Sequence, residues 1–504
     1  VSARKAPFVI LYLLAVVASS CFAELKYRSL NFQTRDYAYY LQFSSKLLDS
    51  RMTKAYSLNP EGYNWLRYYG TEGAGNFHRS LHFEPIKYFY AVIYYFANTP
   101  RVLFWFAALI FFLPVLYLGL TFGVALPDRA GGSSLLNGRS KEFVLLIALL
   151  YVLLPAALLT PAFDLRPYIF LTPFFFMTLI AMKLSRPWWE RLLWFNCMFL
   201  AREEALILAP TFILLAIVWD DDDALHRRTV VSFTIAWIVW GLLTLGFFKW
   251  TAYPTAPFHE HPDLFRILLL CGIGLVALAL AFSKKVRRQS LWRRPLQIAA
   301  YSTVLVPLGF QIFDEDRNAF TFSAEWLAQT IFSPRYALHA VALLGLLLVW
   351  RKNVVEGSKA PRVVLVSVAV CLLALGVVSP WGSARMGAGY LRQIGPARDI
   401  FALRESTDKY ETSILTDYAT HQAFADYQNV YVYNRLPWDT TPGEGRYYPA
   451  NSQIVQALVN ERIEYVVVSK ESAADVEAYH VENRQETVSL FENEKFFGVR
   501  ISRK

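Results

Sequence analysis

Apolar runs of roughly 15 to 25 residues, the length that crosses a hydrocarbon layer as a helix, recur through the first three quarters of the chain and then stop. They occupy residues 8–23, 102–123, 142–160, 168–184, 192–219, 229–250, 264–282, 296–312, 337–350 and 362–380. From 381 to 504 the pattern changes to helical periodicity alternating with short β-rich runs, "TSILT", "NVYVY" and "EYVVVS", closing on "FFGVRIS". That alternation predicts a soluble α/β domain over 381–504 with a mostly parallel sheet. Residues 24–98, between the first two apolar runs, are rich in Tyr and Phe and suit helices lying in a membrane interface.

Charge orients these runs. The start, "VSARKAPFVILYLLAVVASSCFAE", has a basic flank and an apolar core that extends to Ala23, where Glu24 ends it; with no good cleavage pattern it reads as a signal anchor with its N-terminus in the cytoplasm. The loops "LPDRAGGSSLLNGRSKE", "KLSRPWWER" and "SKKVRRQSLWRR" are basic, the last with six cations and no acid over 283–294, and belong inside. Between Arg191 and Lys284 the chain must then cross an even number of times, yet three long runs are visible. Parity is restored if 192–219, interrupted by "AREEA", is a hairpin of two short helices with Arg202, Glu203 and Glu204 at an outer apex. The count becomes about 11 transmembrane helices, with 381–504 outside.

Composition agrees. At 504 residues with 55% hydrophobic and 18% charged, the chain is too apolar for a string of ordinary soluble domains, so a lipid bilayer is part of its solvent. The formal charge of +10 sits largely in the short loops, which makes it a topology signal and argues for no nucleic-acid partner. Cys21, Cys197, Cys271 and Cys371 lie in or beside apolar segments, with neither a disulfide framework nor a zinc spacing.

On this topology one side of the membrane collects Arg35, Asp36, His82, Glu84, Asp164, Arg166, Arg202, Glu203, Glu204, His259, His261, Asp263, Asp314, Glu315, Asp316 and Arg335. Charges at membrane depth are expensive unless they line a polar cavity, so they are candidates for function. A mixture of carboxylates and guanidiniums beside a bilayer suits chemistry on a lipid-linked anion: a carboxylate takes a proton from an attacking hydroxyl, and arginine neutralises a phosphate leaving group.

Five stretches carry a resemblance: "RDYAYYLQ", "HFEPIKYFYAVIYYF", "FDLRPYIFLTPFFF", "AREEALILAP" and "SPRYALHAVAL". In order and spacing they resemble an uncharacterised bacterial family of predicted membrane proteins of the GT-C glycosyltransferase type, through the whole membrane region. The resemblance implies a polytopic α-helical membrane protein of the bacterial inner membrane: a GT-C-like module over 1–380 and an extracytoplasmic α/β domain over 381–504. It implies an inverting transferase that takes a sugar from a polyprenyl-phosphate donor to a glycan, lipid or protein acceptor. Asp36 matches the expected base in the first outer loop, Gln42 a Gln six residues on, and His82 with Pro85 a His-x-x-Pro. Arg202, Glu203 and Glu204 match a basic-acidic-acidic motif. Arg166 stands where the family tends to have His, which suits phosphate binding; Arg202, Arg166 and Arg335 are the candidate phosphate ligands. Arg35, Gln42, His82, Glu84, Asp164, Glu203, Glu204, Tyr336 and His339 would line the site.

Plainer readings stand beside these. Asp36 can cap an interfacial helix, Arg202 with Glu203 or Glu204 can be a structural ion pair, and Tyr37, Tyr39 and Tyr40 can be interfacial anchors. "FHEHPD" has a His-x-His spacing that would allow His259, His261 and Asp263 to hold a divalent cation, the one possible cofactor. The rival functions are a transporter or lipid flippase, for which no internal repeat is visible, and a non-catalytic scaffold.

Overall fold

The computed structural model describes residues 5–31, 35–51, 83–122, 138–154, 157–162, 165–219, 223–251, 383–417, 419–433, 463–473 and 486–502, with a few isolated positions between 303 and 374. The predicted runs at 264–282, 296–312, 337–350 and 362–380 fall almost wholly outside these residues, so the count of eleven crossings does too.

The described chain is mostly helical with a small C-terminal sheet. The helices are α1 (Ala6–Arg28), α2 (Arg35–Lys46), α3 (Lys87–Ala97), α4 (Pro100–Phe111), α5 (Leu113–Phe122), α6 (Gly138–Leu153), α7 (Leu171–Lys183), α8 (Trp188–Ala201), α9 (Ala205–Trp219) and α10 (Asp223–Thr251). Among the described residues, three stretches are long and apolar enough to cross a membrane: Ala6–Arg28, Pro100–Thr121 and Ala224–Phe247. Their outward faces are apolar. Ile10, Leu13, Leu14 and Val17 on α1, and Ile235, Val239, Leu242 and Leu243 on α10, are all exposed at helical spacing. Stripes of that kind are penalised by water and accepted by lipid.

Several boundaries differ from the sequence expectation. α1 runs past Glu24 to Arg28, because Glu24 is held one turn on by Arg28 at 2.5 Å and from α4 by Arg101 at 3.2 Å. The run at 102–123 is broken at Phe112, two residues before Pro114, whose ring and missing N–H interrupt the helical ladder. The basic loop "KLSRPWWER" does not simply dangle in solvent. Arg191 is fully buried and donates from Nε to the Arg186 carbonyl at 2.7 Å, while Glu190 takes a hydrogen bond from Tyr117 and pairs with Arg186 at 2.9 Å. Gly119 allows α5 to pack directly onto Phe8 of α1, a position where any Cβ would collide.

The C-terminal part opens with α11 (Ser383–Ser406), followed by β1 (Ser413–Asp417), the short α12 (His421–Phe424), β2 (Asn429–Tyr433), β3 (Tyr465–Ser469), β4 (Glu486–Glu492) and β5 (Phe496–Ser502). The strand order is β2-β1-β3-β5-β4. β1 pairs parallel with β2 and β3, but β5 pairs antiparallel with both β3 and β4, so the mostly parallel sheet expected from the sequence is in fact mixed. The reason is local: β4 and β5 are joined by a tight turn in which Asn493 Oδ1 accepts from the backbone N–H groups of Lys495 and Phe496, and a short connection can only return antiparallel.

This part is docked on the helices before it. Leu30, just beyond α1, belongs to the same apolar cluster as Ala397, Ile400, Phe424 and Val430. α11 packs along α1 so closely that a Cβ at Gly387 would come within 2.8 Å of the Phe22 ring. The strongest tie is a buried ion pair: Arg404 on α11 grips Asp426 through two bonds of 2.6 and 2.7 Å, and Tyr94 of α3 donates to the same carboxylate at 2.6 Å. Despite full burial, Arg404 and Tyr94 hold the Asp426 carboxyl down at about 2.

A carboxyl whose ordinary value is 3.8 but which titrates at about 2 when folded stabilises the fold fully above about pH 4 and loses that contribution as pH falls toward 2. Asp426→Asn should therefore lower unfolding free energy by about 3 kcal/mol at neutral pH. Denaturation in detergent at a series of pH values checks this: the gap between wild type and variant should be flat from pH 8 to 5 and close below pH 4.

Candidate functional site

The predicted interruption at "AREEA" is present: α8 stops at Ala201 and α9 starts at Ala205. Arg202 is extended (φ −171°, ψ 157°) and Glu203 and Glu204 form a turn, so three charged residues sit where the helical ladder is open. The open ends are closed by other parts of the protein. The Ile86 N–H donates to the Leu200 carbonyl at 2.8 Å, satisfying one of the last acceptors of α8, and the Phe83 N–H donates to Glu203 Oε2 at 2.9 Å. Residues 83–87, the lead-in to α3, are thus pinned on the break.

From there the network reaches α2. Tyr40 Oη donates to Glu84 Oε2 at 2.6 Å, with both residues buried. Arg202 pairs with Glu204 at 2.7 Å and lies over the Tyr168 ring at 5.6 Å, which brings in the turn after Arg166. That turn is a 3-10 segment, Pro167–Phe170, entered through Leu165 in a left-handed conformation (φ 54°). A buried Leu rarely adopts this geometry, and strained backbone of this kind gathers at functional sites.

Glu84, Arg202, Glu203 and Glu204, together with Tyr40 and Tyr168, thus form one cluster linking α2, the lead-in to α3, the Arg166 turn and the α8–α9 break. Arg166 is half-buried just before Pro167, and its carbonyl caps the turn through Ile169 N–H at 3.2 Å. Gln42 is fully buried on α2. Asp36 is the second residue of α2 and Arg35 the first, one turn before Tyr40; their side chains are outside what the structure describes. His82, Asp164, Arg335, Tyr336, His339, His259, His261 and Asp263 also lie outside the described residues, as do Asp314, Glu315 and Asp316. Among the described residues, no group of three or more His, Cys, Asp or Glu side chains could hold a metal ion.

Two expectations change. Tyr37 and Tyr40 are not interfacial anchors: Tyr37 is fully buried and stacked on Phe104 (6.2 Å, 12°), and Tyr40 is spent on Glu84. The described side chains of α2, at 37, 38 and 40–46, are buried, and the helix packs against α3 and α12 of the C-terminal part, so those side chains do not face a membrane surface. α3 does keep an exposed aromatic side, with Phe89, Tyr95 and Phe96, as an interfacial helix would. The ion-pair reading of Arg202 is realised with Glu204, while Glu203 is engaged by backbone.

Sequence reasoning passed over Lys87. It opens α3, is 2% exposed, and burial pulls its ammonium down to about 8 against the opposing pull of Glu84 and Glu203. A lone Lys entering an aromatic helix reads as a side chain reaching for the interface; the only available hint was that "HFEPIKYF" places it three residues after Glu84.

No protein-family model matches the chain, and no curated protein matches it in sequence. Among solved structures, the Archaeoglobus fulgidus oligosaccharyltransferase in the apo form is similar at 13% identity, over 93% of this chain and 71% of that one, with a TM-score of 0.37. A score of that size is too low to establish a common fold.

The Tyr40–Glu84 contact is the tie between α2 and the break. Tyr40→Phe should lower stability by about 1–2 kcal/mol, and a double-mutant cycle with Glu84→Gln should return a coupling of about 1 kcal/mol. Additive effects in detergent denaturation would show the two residues to be independent.

Proposed function

We propose that the protein is an inverting GT-C-type glycosyltransferase that moves a sugar from a polyprenyl-phosphate donor to an acceptor on the outer face of a bacterial inner membrane. The observation that carries this reading is the junction of α2 with the α8–α9 break. The five motifs that resemble the GT-C family lie far apart in sequence, and Tyr40, Glu84, Tyr168 and Arg202, drawn from four of them, belong to one cluster. The exposed apolar stripes of α1 and α10 support a bilayer around that cluster.

In the proposed reaction Asp36 takes the proton of an acceptor hydroxyl as its oxygen attacks the anomeric carbon. The new C–O bond forms on the face opposite the leaving group, the bond to the phosphate oxygen breaks, and polyprenyl phosphate departs with both electrons of that bond. Inversion follows from a single displacement. Arg166, Arg202 and Arg335 balance the charge of the leaving phosphate, and the acid-free departure is feasible because a charge-matched phosphate ester leaves readily. The site faces the side of the membrane that carries the C-terminal domain, with eleven crossings in all and the N-terminus in the cytoplasm.

The test offers purified protein a panel of polyprenyl-phosphate sugars with a candidate acceptor and follows release of free polyprenyl phosphate. Turnover with at least one donor is expected, and Asp36→Asn should slow it by about 10²–10⁴-fold. Wild-type turnover retained in a well-folded Asp36→Asn variant would remove Asp36 as the base. No turnover and no binding across the panel would favour a transporter or a scaffold.

A further inference from the structure

Lys87 and Tyr90 stand three residues apart at the start of α3 and are both essentially buried, at 2% and 0% exposure. Neither Lys87 Nζ nor Tyr90 Oη has a hydrogen-bond partner among the described residues. Leaving such a donor unsatisfied away from water is destabilising, and more so for an ammonium. Two on one helical turn are not accounted for by packing. The surroundings are built to hold them. Nζ lies 5.0 Å from the centre of the Phe43 ring, and the Tyr90 ring packs against Phe106 at 5.9 Å and Phe170 at 5.8 Å. Aromatic walls fix the positions of both groups but offer neither of them a strong acceptor.

Each neighbouring carboxylate already has a partner. Glu84 takes the Tyr40 hydroxyl, Glu203 takes the Phe83 N–H, and Glu204 takes Arg202. Arg202, one of the three arginines proposed for the leaving phosphate, is also ion-paired with Glu204. Lys87 is a fully buried cation beside this cluster whose Nζ has no hydrogen-bond partner among the described residues.

We infer that Lys87 Nζ and Tyr90 Oη form an oxyanion subsite, which takes the phosphate oxygens of a phosphate monoester or diester. The inference rests on the proposed glycosyl transfer for the identity of the ligand, a lipid phosphate, and assigns its headgroup to α3 in addition to the arginines. An incoming phosphate oxygen supplies the acceptor both groups lack, and a charge-assisted bond from a buried ammonium is among the stronger ones available. Burial pulls the Lys87 ammonium down, and the neighbouring Glu84 and Glu203 oppose that pull.

The experiment measures binding of polyprenyl phosphate to the full-length protein in detergent, with neutral polyprenol of the same length as control and inorganic phosphate as competitor. Wild type should prefer the phosphorylated lipid by at least about tenfold, and Lys87→Gln should erase that preference, since a hydrogen bond to a charged group is worth about 10- to 100-fold. Lys87→Arg should restore part of it, and Tyr90→Phe should weaken binding about three- to tenfold. Displacement by inorganic phosphate would identify the phosphate itself as the ligand; no displacement would identify the headgroup held by its lipid. Either result supports the subsite. An unchanged preference in Lys87→Gln, with wild-type melting behaviour, overturns it. If that variant does not fold, unchanged affinity in Lys87→Arg and Tyr90→Phe together overturns it. The two readings fail separately: wild type that turns over no donor while its lipid-phosphate binding depends on Lys87 sinks the transferase and leaves the subsite. Turnover whose donor KM is indifferent to Lys87 does the reverse.

Discussion

A bundle of apolar helices can carry charge in its interior only where every donor and acceptor is closed within the protein. The break at Arg202, Glu203 and Glu204 is where this chain meets that constraint. Ending α8 there leaves helix carbonyls open and brings a guanidinium and two carboxylates into packed surroundings, and each must be answered. The answers come from distant parts of the chain: Ile86 and Phe83 supply backbone N–H groups, Tyr168 supplies a ring face, and Glu84, anchored by Tyr40, extends the network to α2. The segment leading into α3 is thereby fixed against the helices by the chemistry of three residues.

The C-terminal part acts on the same helices from the other side. Leu30 enters its apolar cluster, α11 lies on α1, and Asp426 draws Tyr94 of α3 and Arg404 of α11 to a single carboxylate. α2 is enclosed between α3 and α12, and its terminal Lys46 reaches the Gln428 carbonyl at 3.4 Å. The helix that begins with Arg35 and Asp36 therefore depends on both the charged break and the docked sheet for its position. A buried ion pair of this kind contributes little net stability over an apolar alternative, but removal of one partner is costly, so it specifies where the C-terminal part sits.

Some of this was legible residue by residue. The helix break at "AREEA" followed from counting crossings against basic loops, because charge orients a membrane segment and parity allows no half crossings. Strands β1, β2, β3 and β5 were readable from their β-branched and aromatic runs. The mixed pairing was not, because strand direction is decided by the connections, and β4 hid in "ETVSLFE", an edge strand whose described residues are exposed apart from the partly buried Phe491. Tyr37 and Tyr40 misled for a physical reason: a Tyr beside a membrane span has the same composition signal whether its hydroxyl faces water or a buried carboxylate.

The sequence by itself determined which segments are apolar enough for lipid, that the helix is interrupted at "AREEA", and which side chains are chemically able to act, since these depend on local composition and charge. Only the tertiary structure decided which of those side chains are spent on one another and which are left with capacity. Arg202 is ion-paired with Glu204, whereas Lys87, three residues from Glu84 and unremarked in the chain, has no hydrogen-bond partner for its ammonium among the described residues. The difference arises because satisfaction of these groups depends on which distant segments are brought together, as the Phe83 N–H is brought to Glu203 120 positions on, and no local pattern records that.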